Sequence, residues 1–130
     1  MPFDENGSNN YAKSTIRAWL NNEFYKGSFR SEELRKRILN TEVDNSLAST
    51  MDETNENVCE NTFDKVFLLS LKEVKDNKLS FYRYNYYDVM LRTPSATNKD
   101  EVKTARYYTS VDRTKAKTIN DIYPALWISL

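Results

Sequence analysis

The chain has 130 residues, with 19 basic and 19 acidic side chains, no histidine, one cysteine (Cys59) and two glycines (Gly7 and Gly27). That inventory removes His–Ser and His–Cys nucleophile pairs, zinc sites built on His or several Cys, disulfide frameworks, and the glycine-rich loops that cradle phosphates. Such a length suits one domain, and aromatic residues at 13% can build a core even though hydrophobic residues reach only 39%.

In chain order, the opening MPFDENGSNN has neither a basic nor an apolar run and does not read as a signal peptide. Asp4, Asn6 and Ser8 imitate the start of a calcium loop, but Asn9 stands where Gly is required and Thr15 where Glu is required, so the stretch reads as an Asx-rich turn. Ser14 predicts the cap of a helix over residues 15–25, where Ile16, Trp19, Leu20 and Phe24 form one apolar stripe and Gly27 suits a stop. A second helix is predicted from Ser31. Glu32 and Glu33 sit at its positive end and Arg35, Lys36 and Arg37 at its negative end, with Leu34, Ile38 and Leu39 as the buried face.

Residues 44–62 are polar, acidic and aperiodic, and predict an exposed or partly disordered acidic loop open to proteolysis. KVFLLS at 65–70 reads as a buried strand, and Ser70 with Glu73 as a capping box that opens a short helix. From Phe81 to Asp88 aromatic and polar residues alternate, which predicts extended chain with two unlike faces, ended by Pro94. Further strands are predicted at Arg106–Val111 and at Ala125–Leu130. Two helices followed by several strands give an α+β fold, two N-terminal helices packed on a mostly antiparallel sheet. The core anchors by pattern are Trp19, Leu20, Phe67, Leu69, Leu126 and Trp127. Trp19 and Trp127 are expected to join the first helix to the last strand, at about 3–5 kcal/mol each on truncation to Ala.

The zero net charge hides a division: seven acids and no base lie between Asn40 and Asp64, and 11 bases against six acids between Lys72 and Lys117. A solvated acidic loop beside a mixed surface accounts for it, and no domain-wide basic surface calls for nucleic acid. No stretch approaches the roughly 20 apolar residues that span a bilayer, so no membrane insertion is expected. The adjacent acids Glu32/Glu33 and Asp52/Glu53 do not face one another, and Cys59 lies in an acidic loop without a neighbouring cation, so neither a catalytic pair nor an activated thiol is indicated. No catalytic residue, metal site or cofactor is expected. The richest constellation is aromatic and basic: Tyr82, Arg83, Tyr84, Tyr86, Tyr87, Arg92, Arg106 and Tyr108, a set whose ring faces and guanidinium planes can form a ligand surface or, more often for such a pattern, the core and cross-strand pairs of a glycine-poor sheet.

Four segments resemble a family of bacterial domains of unknown function found on multidomain surface proteins of gut and other anaerobic bacteria. They are Asn9–Phe29 with its R-x-W-L-N core at Arg17, Trp19, Leu20 and Asn21; DKVFLLSLKEV from Asp64 to Val74; MLRTPS from Met90 to Ser95; and YPALWISL from Tyr123 to Leu130. Met90 replaces the family's usual Trp and Tyr123 its usual Arg, and the usual glycine-rich stretch before the last segment has no glycine here. By this resemblance the chain looks short at its N-terminus, sits at the cell surface in a parent protein, and ends in a pattern similar to C-type-lectin-like folds. The chain itself has no signal peptide, which leaves a cytoplasmic location open. The functional expectation is a non-enzymatic module that binds a glycan or protein through its Tyr/Arg-rich surface. The alternatives are a structural or self-associating spacer that forms a homo-oligomer through an open sheet edge, and a carboxylate-dependent enzyme.

Overall fold

In the computed structural model, residues 1–81 and 88–130 are described, and they form an α+β arrangement of short helices and antiparallel strands. A 3-10 turn (Tyr11–Lys13) leads into one continuous helical stretch: α1 (Thr15–Trp19), a π turn (Leu20–Phe24) and α2 (Tyr25–Ser28). The first amides of a helix have no partner within it, and here the N-terminal segment supplies them. The Thr15 amide donates to Asp4 Oδ1 (3.1 Å), the Ile16 amide to the Phe3 carbonyl (3.0 Å) and the Arg17 amide to Ser14 Oγ (3.2 Å). Asp4 Oδ2 accepts from the Asn6 and Ser8 amides, which makes the Asx-rich turn.

Burial acts to raise the Asp4 pKa, but the hydrogen bonds from Ser8, Thr15 and Asn6 outweigh it and hold the carboxyl below its ordinary 3.8. A depressed folded pKa gives stability that is fully present above the unfolded value of about 3.9 and is lost as pH falls through the folded value. Asp4→Asn is therefore expected to cost about 1–2 kcal/mol at neutral pH, and the gap from wild type is expected to narrow progressively as pH falls below the ordinary carboxylate value. Urea midpoints for both proteins across that range test this, and a gap independent of pH refutes it.

Ile16 and Leu20 are fully buried, and Trp19 is half-buried, with its ring 5.3 Å from that of Phe24. Gly27 lies inside the last turn rather than beyond it, and Phe29 follows as the C-cap. In α3 (Glu32–Arg37), Ser31 Oγ caps the Leu34 amide, as its sequence signals. Its expected apolar face is corrected: Leu34 and Leu39 are exposed, and only Ile38 is buried, because it bridges to Ile128.

Strand β1 (Thr41–Val43) pairs antiparallel with β2 (Thr62–Asp64), and the chain between them carries α4 (Leu47–Thr50). The acidic loop 44–62 is largely exposed, as expected, and it carries a helical turn and is anchored by hydrogen bonds. Asp44, Glu53, Glu56 and Glu60 point outward, while the uncharged polar residues Asn45, Ser49, Thr50 and Asn55 are buried. Asn55 Nδ2 donates to the Pro94 carbonyl and Asn57 Nδ2 to that of Ser95, both at 2.9 Å, so side-chain amides tie the loop to the strand behind it.

After β2 the chain bends at Lys65 and Val66 before β3 (Phe67–Leu68). Asn21 fixes that bend: its Oδ1 accepts from the Lys65 and Val66 amides (2.8 and 3.1 Å), and its Nδ2 donates to the Val66 carbonyl (2.9 Å). Ser70 then caps α5 (Leu71–Asp76). The main sheet is β4–β5–β6, formed by Val89–Pro94, Glu101–Tyr107 and Ser110–Lys115. The segment expected as one strand, Arg106–Val111, is instead the hairpin end that joins β5 to β6. β7 (Pro124–Ala125) pairs with β3.

Alternation along β4 divides the interior. Met90 joins a core with Phe3, Ile16, Leu20 and Leu68, while Val89 and Leu91 join a second core with Val74 and Phe81. Opposite faces of one strand thus seal two apolar clusters.

Candidate functional site

Arg92 lies where β4 bulges. Met90 faces Thr104 and Pro94 faces Val102, so the three residues between them oppose only Lys103. A bulge re-aims side chains, and here it sends a guanidinium that is only 3% exposed into a cluster of acceptors. Its Nε donates to Asn45 Oδ1 (3.0 Å), Nη1 to the Leu68 carbonyl (2.7 Å) and to Glu73, and Nη2 to the Asp44 carbonyl (2.9 Å). The guanidinium carbon is 5.8 Å from the centre of the Phe67 ring. Arg92 therefore joins the loop, β3, β4 and α5, and its expected place on an exposed ligand surface is corrected. The capping box is also half-formed: Ser70 Oγ accepts the Glu73 amide at 3.2 Å, while the Glu73 carboxylate turns to Arg92.

In front of this cluster opens a groove of about 520 Å³, within the roughly 300–1,000 Å³ common for ligand clefts. Its floor is apolar, with Phe67, Leu69, Leu79 and Leu126. Glu42 and Asp44 of the β1 wall and Glu73 and Asp76 of α5 supply its carboxylates. Lys72 hydrogen-bonds Asp76, and the Asp44 carboxylate accepts from the Ser46 amide at 2.8 Å. The Ser46 hydroxyl is the main cause that holds the Asp44 pKa below its usual value, helped against burial by the Ser46 amide and by the charges of Arg92 and Lys72.

At the rim stands Trp127, 63% exposed. The expectation that it anchors the core is corrected, and the physical reason is its register. The Trp127 carbonyl accepts from the Leu39 amide and Ile38 bridges Ile128, so this end of the chain is held by backbone pairing that leaves the indole outside. Trp127→Ala is expected to change stability by no more than about 1 kcal/mol, against the 3–5 expected of a buried Trp. A denaturant midpoint shift as large as that of a core truncation returns Trp127 to the core.

The remaining predicted residues are dispersed. Tyr82, Arg83, Tyr84, Tyr86 and Tyr87 lie outside the described residues. Arg106 is half-buried with its Nε 3.2 Å from Asp88 Oδ1, and Tyr108 is exposed at the β5–β6 turn. Leu20 and Phe67 are buried, and Leu69 and Leu126 are half-buried. Cys59 is half-buried rather than an exposed thiol, and that burial raises its pKa. Among the described residues no three His, Cys, Asp or Glu groups converge as a metal site, and no helix is long and apolar enough to cross a membrane.

Sequence reasoning missed the groove itself. Its carboxylates come from two elements distant in sequence, and its aromatic rim from a residue whose apolar neighbours, Leu126 and Ile128, made it read as core.

Comparison with curated proteins and with solved structures gives no match. The family model of DUF6273, a domain of unknown function, matches residues 2–130, and the chain belongs to that family.

Proposed function

We propose that the domain is a non-enzymatic recognition module that binds a glycan or protein ligand in the groove rimmed by Trp127. The observation that carries this reading is an indole left 63% exposed over a cleft with an apolar floor. Trp is a rigid, largely apolar contact group that folded chains usually keep covered, and it is enriched where partners bind. The acids support the reading too. Glu73 is tied to Arg92, Asp76 to Lys72 and Asp44 to the Ser46 amide, which is the arrangement of a structural rim rather than of an acid and base poised over a substrate. The resemblance of the four motif segments to bacterial cell-surface domains, and of the final segment to C-type-lectin-like ends, is the support for an extracellular setting.

Arrays of glycans and of peptides, probed with the wild-type domain and with Trp127→Ala, test the reading. The expected result is a bound class that is lost on truncation of the indole. Silence on both arrays, or binding indifferent to Trp127, overturns it.

A further inference from the structure

The walls of the groove are two extended runs of consecutive residues, Thr41–Asp44 and Ala125–Trp127. Each is committed on one side to its own partner strand, β1 to β2 and β7 to β3. Among the described residues they are joined at the Trp127 end of the groove, where the Leu39 amide meets the Trp127 carbonyl at 2.9 Å and Ile38 bridges Ile128. The groove is thus a fork between two diverging strands, and the occupant whose shape matches it is an extended chain.

The chemistry of the lining selects further. The floor is largely aliphatic, and past Trp127 the exposed side chains of Leu39 and Ile128 continue the apolar surface. A sugar needs donors and acceptors together beside the aromatic face, but both cations of the groove, Lys72 and Arg92, are already bonded to carboxylates. Asp44 feels the charges of Lys72 and Arg92, but with Glu42 it brings the groove to four carboxylates against two cations, so the excess charge of the lining is negative. The Trp127 end lies beside α3, where Arg37 hands its carbonyl to the Ser129 amide (2.8 Å) and Lys36 and Arg37 are exposed. The polarity of an occupant follows from this.

Resting on the recognition reading above, we infer that the partner is an extended peptide segment. It lays an apolar side chain on Trp127 and sets a Lys or Arg side chain at the Glu42–Asp44 end of the fork. A short complex of this kind gains affinity from the buried apolar anchor and specificity from the charge, and the charge contribution weakens with salt.

In a Trp19→Phe background Trp127 is the sole tryptophan, and its emission reports the groove. Three probes are titrated: a capped hexapeptide of alternating lysine and leucine, its glutamate–leucine counterpart, and a neutral chito-oligosaccharide. The expected result is saturable change with the lysine peptide and at least about tenfold weaker binding of the glutamate peptide. Further weakening is expected from about 0.05 to 0.5 M salt and in Glu42→Gln/Asp44→Asn, a variant whose circular dichroism matches wild type. Saturation by the oligosaccharide but not by the lysine peptide overturns the peptide and leaves the recognition reading standing. Peptide binding unaffected by the double variant overturns the assigned polarity. A Trp127 shift that tracks protein concentration alone, with sedimentation as a dimer, gives the groove to a second copy of the chain. No response to any probe overturns the inference, and only silence on both arrays as well brings down the recognition reading with it.

Discussion

Arg92→Met lowers the stability of the domain by about 3–5 kcal/mol, a loss typical of removing one member of a buried charged network. The guanidinium is the one partner shared by Asn45 Oδ1, the Leu68 and Asp44 carbonyls and the Glu73 carboxylate. With Met in its place the stem volume is kept, but three buried or half-buried acceptors and one carboxylate lose their donor. An unsatisfied buried acceptor costs about 1–3 kcal/mol. Arg92→Lys keeps the charge without the planar fork and is expected to recover less than half of the loss. Urea unfolding of the three proteins measures this. A methionine variant as stable as wild type shows that the cluster is ornamental to the fold and frees Arg92 for a ligand role.

Leu20→Ala is expected to cost about 2–5 kcal/mol, the range for a fully buried leucine whose cavity closes only in part. Leu20 is 0% exposed and shares its core with Phe3, Ile16, Leu68 and Met90, so the deletion opens a void between the helical stretch and β4. Leu34→Ala in the next helix is the internal comparison. At 38% exposure Leu34 should lose under about 0.5 kcal/mol, although the sequence pattern ranks the two leucines alike. Equal losses at the two positions would show that the helical segments pack differently from the arrangement described.

The contrast between those leucines shows what was legible. Caps are local chemistry, so Ser14, Ser31 and Ser70 announced their helices, and each hydroxyl does accept the amide three residues on. The α+β class followed from the same local signals. Burial of a short helix is decided elsewhere: α3 has only six residues, and its C-cap Ile38 meets Ile128 in the segment after β7, a pairing that no local period encodes. The loop 44–62 is largely exposed, as expected, but its anchoring was missed for a related reason. Its composition is that of a disordered segment, yet what holds it is amide hydrogen bonding from Asn45, Asn55 and Asn57, and an asparagine that staples a loop looks in sequence like one that hydrates it. Arg92 was noticed as a functional residue because it follows the tyrosine-rich run and shares its aromatic and basic character. Its burial depends on a bulge whose register is visible only once β5 is in place. Trp127 erred in the opposite sense, an aromatic in an apolar run that backbone pairing turns outward.

The wide turn at Leu20–Phe24 carries one residue more than an ordinary α-helical turn would hold. It works as a length of slack in an otherwise tight spiral. Loss of one residue from it, such as the exposed Asn22, would let the stretch close into regular α-helix with Tyr25 and Phe29 still directed at the core, at the expense of the local offset that aims Asn21 at the Lys65–Val66 bend. The same loss from α1, where no slack exists, would swing every later side chain by about 100° around the axis. Natural variation in the length of this helix should therefore gather at a single point along it.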